Sequence, residues 1–270
     1  MSAERMNVGP VVLITGGASG IGKALGEAFR ARGATVVLAD VNPAVTEVAR
    51  SLGGEGFVLD VCDREAWIRV VDEVEARLGP IDTLVNNAGL VKMGDARTLS
   101  AQDWERTLAV NLHGPVNGVV VVYPRMCSRG RGTIVQVASA LGLAPATGCA
   151  PYVTSKHALV AMSAALRAEG ARYGVKVVAA CPGFVDTPLL TELVPTAPEQ
   201  PQKLPDGTLT PAACAAAILR GLDRDRAVIT MGWQTKVYWL FYRLFPEWLI
   251  QILGQQYRTA ALPGEPPPAP

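Results

Sequence analysis

Tyr152 and Lys156 stand four residues apart in a stretch of helical pattern, a spacing that puts both side chains on one face. A free phenol titrates near pH 10 and is a poor proton acceptor at neutral pH. A neighbouring ammonium favours the phenolate, so the pair is expected to lower the tyrosine's pKa and let it exchange a proton with an alcohol oxygen. Upstream, Thr15-Gly16-Gly17-Ala18-Ser19-Gly20-Ile21-Gly22 follows an apolar β-branched run, Val11-Val12-Leu13-Ile14, and opens a helical pattern. Glycine there permits a tight turn and close backbone approach to a pyrophosphate. The helix N-terminus then adds N–H donors and a favourable dipole. The spacing is G-x-x-x-G-x-G rather than G-x-G-x-x-G. Asp40 closes the next apolar run, where a carboxylate can accept from both adenosine ribose hydroxyls and would repel a 2′-phosphate. Neither residue 39 nor 41 is basic and Ser19 is neutral, leaving Lys23 as the nearby cation. The expected cofactor is therefore NAD.

These residues need a scaffold, and the pattern around them supplies one. Strand-like runs at 11–14, 35–38, 57–59, 81–85, 133–137, 175–181 and 227–230 alternate with helical stretches near 20–32, 43–52, 63–78, 100–128 and 151–173. Near-continuous apolar strands between helices imply a parallel sheet covered on both faces. The expected fold class is α/β: a single Rossmann-like doubly wound domain over residues 1–262, with a mostly seven-stranded parallel sheet. Ser100 and Asp103 have the spacing of an N-terminal capping pair. Six prolines between 188 and 211 predict a loop with at most a short helix, and the Pro-rich tail 263–270 is expected to be disordered.

The 270 residues are 49% hydrophobic, with a formal net charge of +1. No global field argues for nucleic acid or an acidic partner. Residues 1–10 lack a signal-peptide core. The five cysteines, Cys62, Cys127, Cys149, Cys181 and Cys214, form neither a CxxC nor a cluster with histidine. They read as reduced buried thiols of a cytoplasmic protein, with no metal site expected.

In these motifs the chain resembles the short-chain dehydrogenase/reductase (SDR) family, the group with chains of roughly 250 residues. The match runs from about Val11 to Thr187 in family order. Thr15-Gly16-x-x-x-Gly20-x-Gly22 is similar to its cofactor loop, and Asp60-Val61 to its adenine-contacting pair. Asn86-Asn87-Ala88-Gly89 follows the fourth strand. Asn111 falls at the family asparagine, Ser139 precedes Tyr152 by thirteen residues, and Pro182-Gly183 follows the sixth strand with Thr187 four beyond. The resemblance implies that Ser139 holds the substrate oxygen toward Tyr152, that Lys156 binds the nicotinamide ribose, and that Asn111 holds a relay water. It further implies that Val185 and Thr187 fix the carboxamide. Gly16, Ser19, Gly20, Ile21, Gly22, Asp40, Asp60, Val61, Asn87, Ala88, Gly89, Pro182 and Gly183 complete the expected NAD site, together with Tyr152 and Lys156. A hydride would pass directly between the ring and the substrate carbon. A homo-oligomer, tetramer or dimer, is the family default.

The expected substrate is a hydrophobic secondary alcohol or ketone (lipid-like, terpenoid, steroid or aryl), because candidate pocket residues Val91, Met93, Leu141, Leu143, Ala144, Cys149, Phe184, Leu189 and Leu190 are mostly apolar. His113 and His157 are expected to be non-catalytic. The aromatic segment 233–258 is interrupted by Arg243, Pro246 and Glu247, too short a run to span a bilayer. It is expected to pack on the substrate loop or serve an oligomer contact. Lys236, Arg243 and Arg258 are sparse for a membrane-surface helix. An NAD-binding sensor without turnover is the alternative, and Tyr152 with Lys156 argues against it. A hydrolase on a similar sheet would need a G-x-S-x-G turn with a later histidine, and no histidine follows His157.

Overall fold

The computed structural model describes residues 9–193 and 205–259. Its sheet has seven parallel strands in the order β3-β2-β1-β4-β5-β6-β7: β1 (Val11–Thr15), β2 (Thr35–Asp40), β3 (Glu55–Val58), β4 (Ile81–Asn86), β5 (Gly132–Val137), β6 (Val175–Cys181) and β7 (Val228–Thr230). The chain winds outward from β1 to β3, then returns to place β4 on the other side of β1. That reversal opens a crevice beyond the carboxyl ends of β1 and β4, the position where open α/β sheets bind ligands.

Two apolar layers hold the sheet. Val12 and Ile14 of β1 point into one core with Leu25, Leu38, Val135 and Ile218. Val11 and Leu13 point into the other with Trp67, Leu84, Val122 and Met126. Alternate residues of one strand thus serve opposite cores, which explains why the strands read as unbroken apolar runs. The first core is covered by α1 (Gly20–Ala31), α2 (Val45–Ser51) and α8 (Pro211–Asp223), and the second by α3 (Arg64–Leu78) and α5 (Gly114–Arg129).

Local signals set the ends. The Asp63 side chain accepts from the Ala66 amide and caps α3. Ser100 and Asp103 form the expected capping box at the start of α4 (Ala101–Leu108). The stretch read as one helix over 100–128 is interrupted: a π-helical turn at Ala109–His113 joins α4 to α5 and carries Asn111. Between Ala150 and Gly170 runs α6, which carries Tyr152 and Lys156. Pro188–Leu193 forms the short helix α7; residues 194–204 of the proline-rich loop and the tail expected to be disordered lie outside the described residues. The aromatic segment forms two helices, α9 (Trp233–Leu244) and α10 (Pro246–Thr259), parted at Phe245 before Pro246. No described helix is long and apolar enough to cross a membrane. Of the cysteines, all free, Cys149, Cys181 and Cys214 are buried, but Cys62 is exposed and Cys127 half-buried, so the all-buried expectation is corrected.

Candidate active site

Two adjoining cavities occupy the crevice. The first, of about 600 Å³, is bordered by Gly16, Ser19, Gly20, Ile21, Asp40, Asp60, Val61, Asn87, Ala88, Gly89 and Thr187. Its floor is backbone. Gly16 and Gly20 have φ of +66° and +53°, a region costly for side chains. Gly22, expected as a cofactor contact, borders neither cavity; a Cβ there would lie 2.1 Å from the Gly16 carbonyl oxygen, so its role is to let α1 close onto the loop.

The loop is tied to β4. Asn87 Nδ2 donates to the carbonyls of Thr15 (2.9 Å) and Gly16 (3.2 Å), while the amides of Asn87 and Ala88 donate to Thr15 Oγ1. Asp40 Oδ2 accepts from the Ala18 amide at 3.0 Å and Oδ1 from the Asn42 amide at 2.9 Å. It does not cap α2, whose N-cap position is Ala44. Asp40 instead holds the glycine loop and faces the cleft. Lys23 is drawn to Glu27, 4.0 Å away on the helix surface. Arg106 of α4 is the one cation among the described residues lining the first cavity, and sequence reading passed over it; nothing in a lone arginine of an amphipathic helix signals a cleft. The donor set fits a dinucleotide: a glycine cradle that a Cβ would fill, helix N-terminal amides and a ribose-height carboxylate.

The second cavity, of about 680 Å³, meets the first at Ile21, Asn87, Gly89, Thr187 and Leu189. Ser139, Tyr152 and Lys156 border it, as do Pro182, Gly183 and Val185. Ser139 follows β5 in extended conformation; its Oγ accepts from the Leu141 amide at 3.1 Å, and it borders the same cavity as Tyr152. Lys156 Nζ donates to the Val137 carbonyl at 2.9 Å and lies 5.5 Å from the Tyr152 ring centre. The expected depression of the Tyr152 pKa is corrected: the structure reverses its direction. Burial pushes the phenol up to about 12, against the Ser139 hydrogen bond, with the nearby Cys149 adding a smaller upward push. Burial likewise brings Lys156 down to about 8, opposed by Cys181. Desolvation outweighs the pairing because the amine is committed to a backbone carbonyl and faces the ring.

Asn111 is buried behind both cavities rather than on either. Its Oδ1 accepts from the Leu90 amide and its Nδ2 donates to the Leu90 carbonyl, both at 2.8 Å, with a further bond to Ser155 Oγ at 3.2 Å. A Cβ on Gly89 would meet Asn111 Oδ1 at 3.3 Å and Lys156 Nζ at 3.6 Å, so glycine lets the three groups converge. Asp60 Oδ1 holds the Cys62 amide, and the Val61 carbonyl accepts from Trp67 Nε1 and Asn117 Nδ2. His157 Nδ1 pairs with the Val153 carbonyl; neither His113 nor His157 borders the cavities.

A sequence model of short chain dehydrogenases matches residues 10–198. The chain belongs to the short-chain dehydrogenase/reductase family. Among its SDR relatives, D-threitol dehydrogenase of Mycolicibacterium smegmatis is 36% identical over 80% of this chain and 90% of its own. The 3-oxoacyl-[acyl-carrier-protein] reductase of Thermotoga maritima is 34% identical over 83% and 94%. An SDR from Burkholderia phymatum, solved in complex with NAD, superposes with a TM-score of 0.80 at 27% identity, covering 90% of this chain and 95% of that one. This SDR is thus an oxidoreductase with a Rossmann-like nucleotide-binding fold.

The second cavity differs in detail from the expected substrate pocket. Leu141, Phe184, Leu189 and Leu190 line it. Val91, Met93 and Cys149 instead pack around Tyr152, and Leu143 is buried in the core beneath α6; Ala144 is also buried. These residues pack behind the cavity and do not border it. The missing wall comes from α9, with Trp233, Gln234, Thr235, Val237, Tyr238 and Phe241 bordering the cavity. Gln234 of α9 lies beside Gly207 of the 188–211 stretch, but the hydrogen bonds of the aromatic segment go elsewhere: Tyr238 Oη donates to the Pro145 carbonyl at 2.6 Å, and Tyr257 Oη of α10 donates to Asp95 Oδ2 at 2.9 Å.

Proposed function

We propose that this SDR transfers hydride between NAD(H) and a hydrophobic secondary alcohol or ketone, with Tyr152 as the proton-exchanging group. One observation carries the reading: Tyr152, Ser139 and Lys156 together border the apolar cavity that adjoins the glycine-floored cleft. A nicotinamide dinucleotide held there supplies the hydride acceptor or donor. Gly16, Ser19, Gly20 and Ile21 would cradle its pyrophosphate, and Asp40 would accept from the adenosine ribose. Asp60 and Val61 would flank the adenine, with Asn87, Ala88 and Gly89 along the nicotinamide half. Pro182, Gly183, Val185 and Thr187 would fix the carboxamide, and Lys156 the nicotinamide ribose. Ser139 orients the substrate oxygen, Tyr152 Oη gives or takes its proton, and Asn111 positions the chain beside Lys156 for a relay to solvent. Asp40 with no basic neighbour supports NAD over NADP.

Apolar lining supports a lipid-like, terpenoid, steroid or aryl substrate, with Thr235, Gln234 and Asp206 as the few polar anchors. A cytoplasmic homo-oligomer, dimer or tetramer, is part of the same reading. The test is NAD-linked turnover across apolar secondary alcohols and ketones. Tyr152→Phe should lower kcat by about 10²–10⁴-fold with NADH binding retained. Undiminished turnover in that variant, or turnover confined to highly charged small substrates, would overturn the proposal.

A further inference from the structure

The two C-terminal helices turn the wrong face outward. On α9, Trp233, Lys236, Val237, Leu240, Arg243 and Leu244 are exposed along one stripe, at the three- and four-residue spacing of a helix face, with Gln234 exposed beside it. Trp233 is 70% exposed, Leu240 57% and Leu244 60%. Phe245, Trp248 and Ile250 continue the surface onto α10, at 53%, 61% and 55%. A surface helix ordinarily shows charge to water; this one shows tryptophan and leucine, and its charged residues are both cations. Contiguous apolar surface of this kind marks a contact.

We infer that the α9–α10 face docks this protein on an anionic lipid surface, with the mouth of the substrate cavity held against it. Three observations select that occupant. First, Trp233 and Val237 are both exposed and border the cavity, so the apolar surface and the apolar cavity are continuous. Second, the exposed charges of the two helices are Lys236, Arg243 and Arg258 against Glu247, a balance suited to anionic headgroups. A self-complementary contact between two copies would offer each copy's Lys236, Arg243 and Arg258 only the single acid Glu247 of the other. Third, Trp233, Trp248 and Phe245 are of the aromatic type that settles at headgroup depth. The cations are few, as the sequence indicated, so exposed apolar area carries the affinity and charge tunes it. The hydrogen bonds from Tyr238 to Pro145 and from Tyr257 to Asp95 tie this face to the segments that follow β5 and β4.

The test is flotation of the full chain with mixed phosphatidylglycerol–phosphatidylcholine vesicles and with phosphatidylcholine alone. The wild type should float with the mixed vesicles and less with the neutral ones. Leu240→Glu/Leu244→Glu, both exposed and neither bordering the cavity, should weaken that binding by at least about tenfold, since each carboxylate would enter the interface. NADH binding and the circular dichroism spectrum should be unchanged. Lys236→Glu, a milder change, should reduce flotation on the mixed vesicles alone. No flotation of the wild type, or equal flotation of wild type and the double variant, refutes the inference. So does a wild-type oligomer that the double variant dissociates, because a second copy would then cover the face. Flotation requires no turnover, so its outcome is separable from that of the substrate proposal.

Discussion

Tyr152 and Lys156 show how strongly burial competes with pairing. A lysine that titrates near 10.5 in the unfolded chain titrates at about 8 here. Between those values the unfolded chain keeps a proton that the folded chain has released, so this group makes stability rise as pH climbs from about 8 to 10.5. Below pH 8 the whole penalty of the buried ammonium is present. Lys156→Met should therefore change the pH profile: relative to wild type, the variant's advantage should shrink by on the order of 3 kcal/mol between pH 7 and 10.5. Denaturant unfolding of both proteins across that range checks it, and parallel curves would show that Lys156 is not the group responsible. Asp40 makes a second residue-scale case. It anchors the Ala18 amide as well as facing the cleft, so Asp40→Ala should loosen the loop and remove the ribose acceptor together. The NAD-over-NADP ratio of kcat/KM should fall by at least about tenfold, the loss of a charge-assisted hydrogen bond; an unchanged ratio would place cofactor choice elsewhere.

At the scale of elements, α4 and the π-helical turn after it set where Asn111 sits. Ser100 and Asp103 exchange hydrogen bonds in the capping box, with Asp103 Oδ2 accepting from the Ser100 amide at 3.0 Å and from its hydroxyl at 2.7 Å. Ser100→Ala should cost about 1 kcal/mol and lower Tm by roughly 2–4 °C in a protein of this size, measured by thermal unfolding. This cap was legible because it depends on residues three apart. So were the strands, whose apolar runs answer to burial on both faces, and the glycine loop, whose residues answer to backbone geometry. The break at Ala109–His113 was not legible: a π-helical turn inserts one residue into a helix without changing composition, and only Asn111's two bonds to Leu90 reveal why it is held there. The cavity's wall was hidden for a related reason. Val91 and Cys149 look as suitable for a pocket as Val237 or Phe241, and only the packing of α9 against the loop at Pro145 decides which set faces the opening.

For the whole molecule, the sheet and the C-terminal helices carry different duties. The sheet fixes the glycine cleft and the Ser139–Tyr152–Lys156 group, while α9 meets that frame across the cavity, held at Pro145 by Tyr238. Tyr238→Phe removes that hydrogen bond without removing the ring. KM for an apolar substrate should rise about fivefold, the worth of one hydrogen bond of about 1 kcal/mol, with the NADH Kd unchanged. Steady-state kinetics beside cofactor titration separates the two; equal weakening of both would mean that α9 supports the cleft as well.

The position of α9 beyond the last strand has a practical corollary. Ser139, Tyr152 and Lys156 all stand before residue 190, whereas the α9 wall of the cavity arrives after residue 231 and joins Leu141, Phe184, Leu189 and Leu190, contributed by a stretch that adds no strand to the sheet. Recombining the chain at Met231–Gly232 with the matching segment of another family member would exchange that wall as a cassette, leaving Ser139, Tyr152 and Lys156 in place.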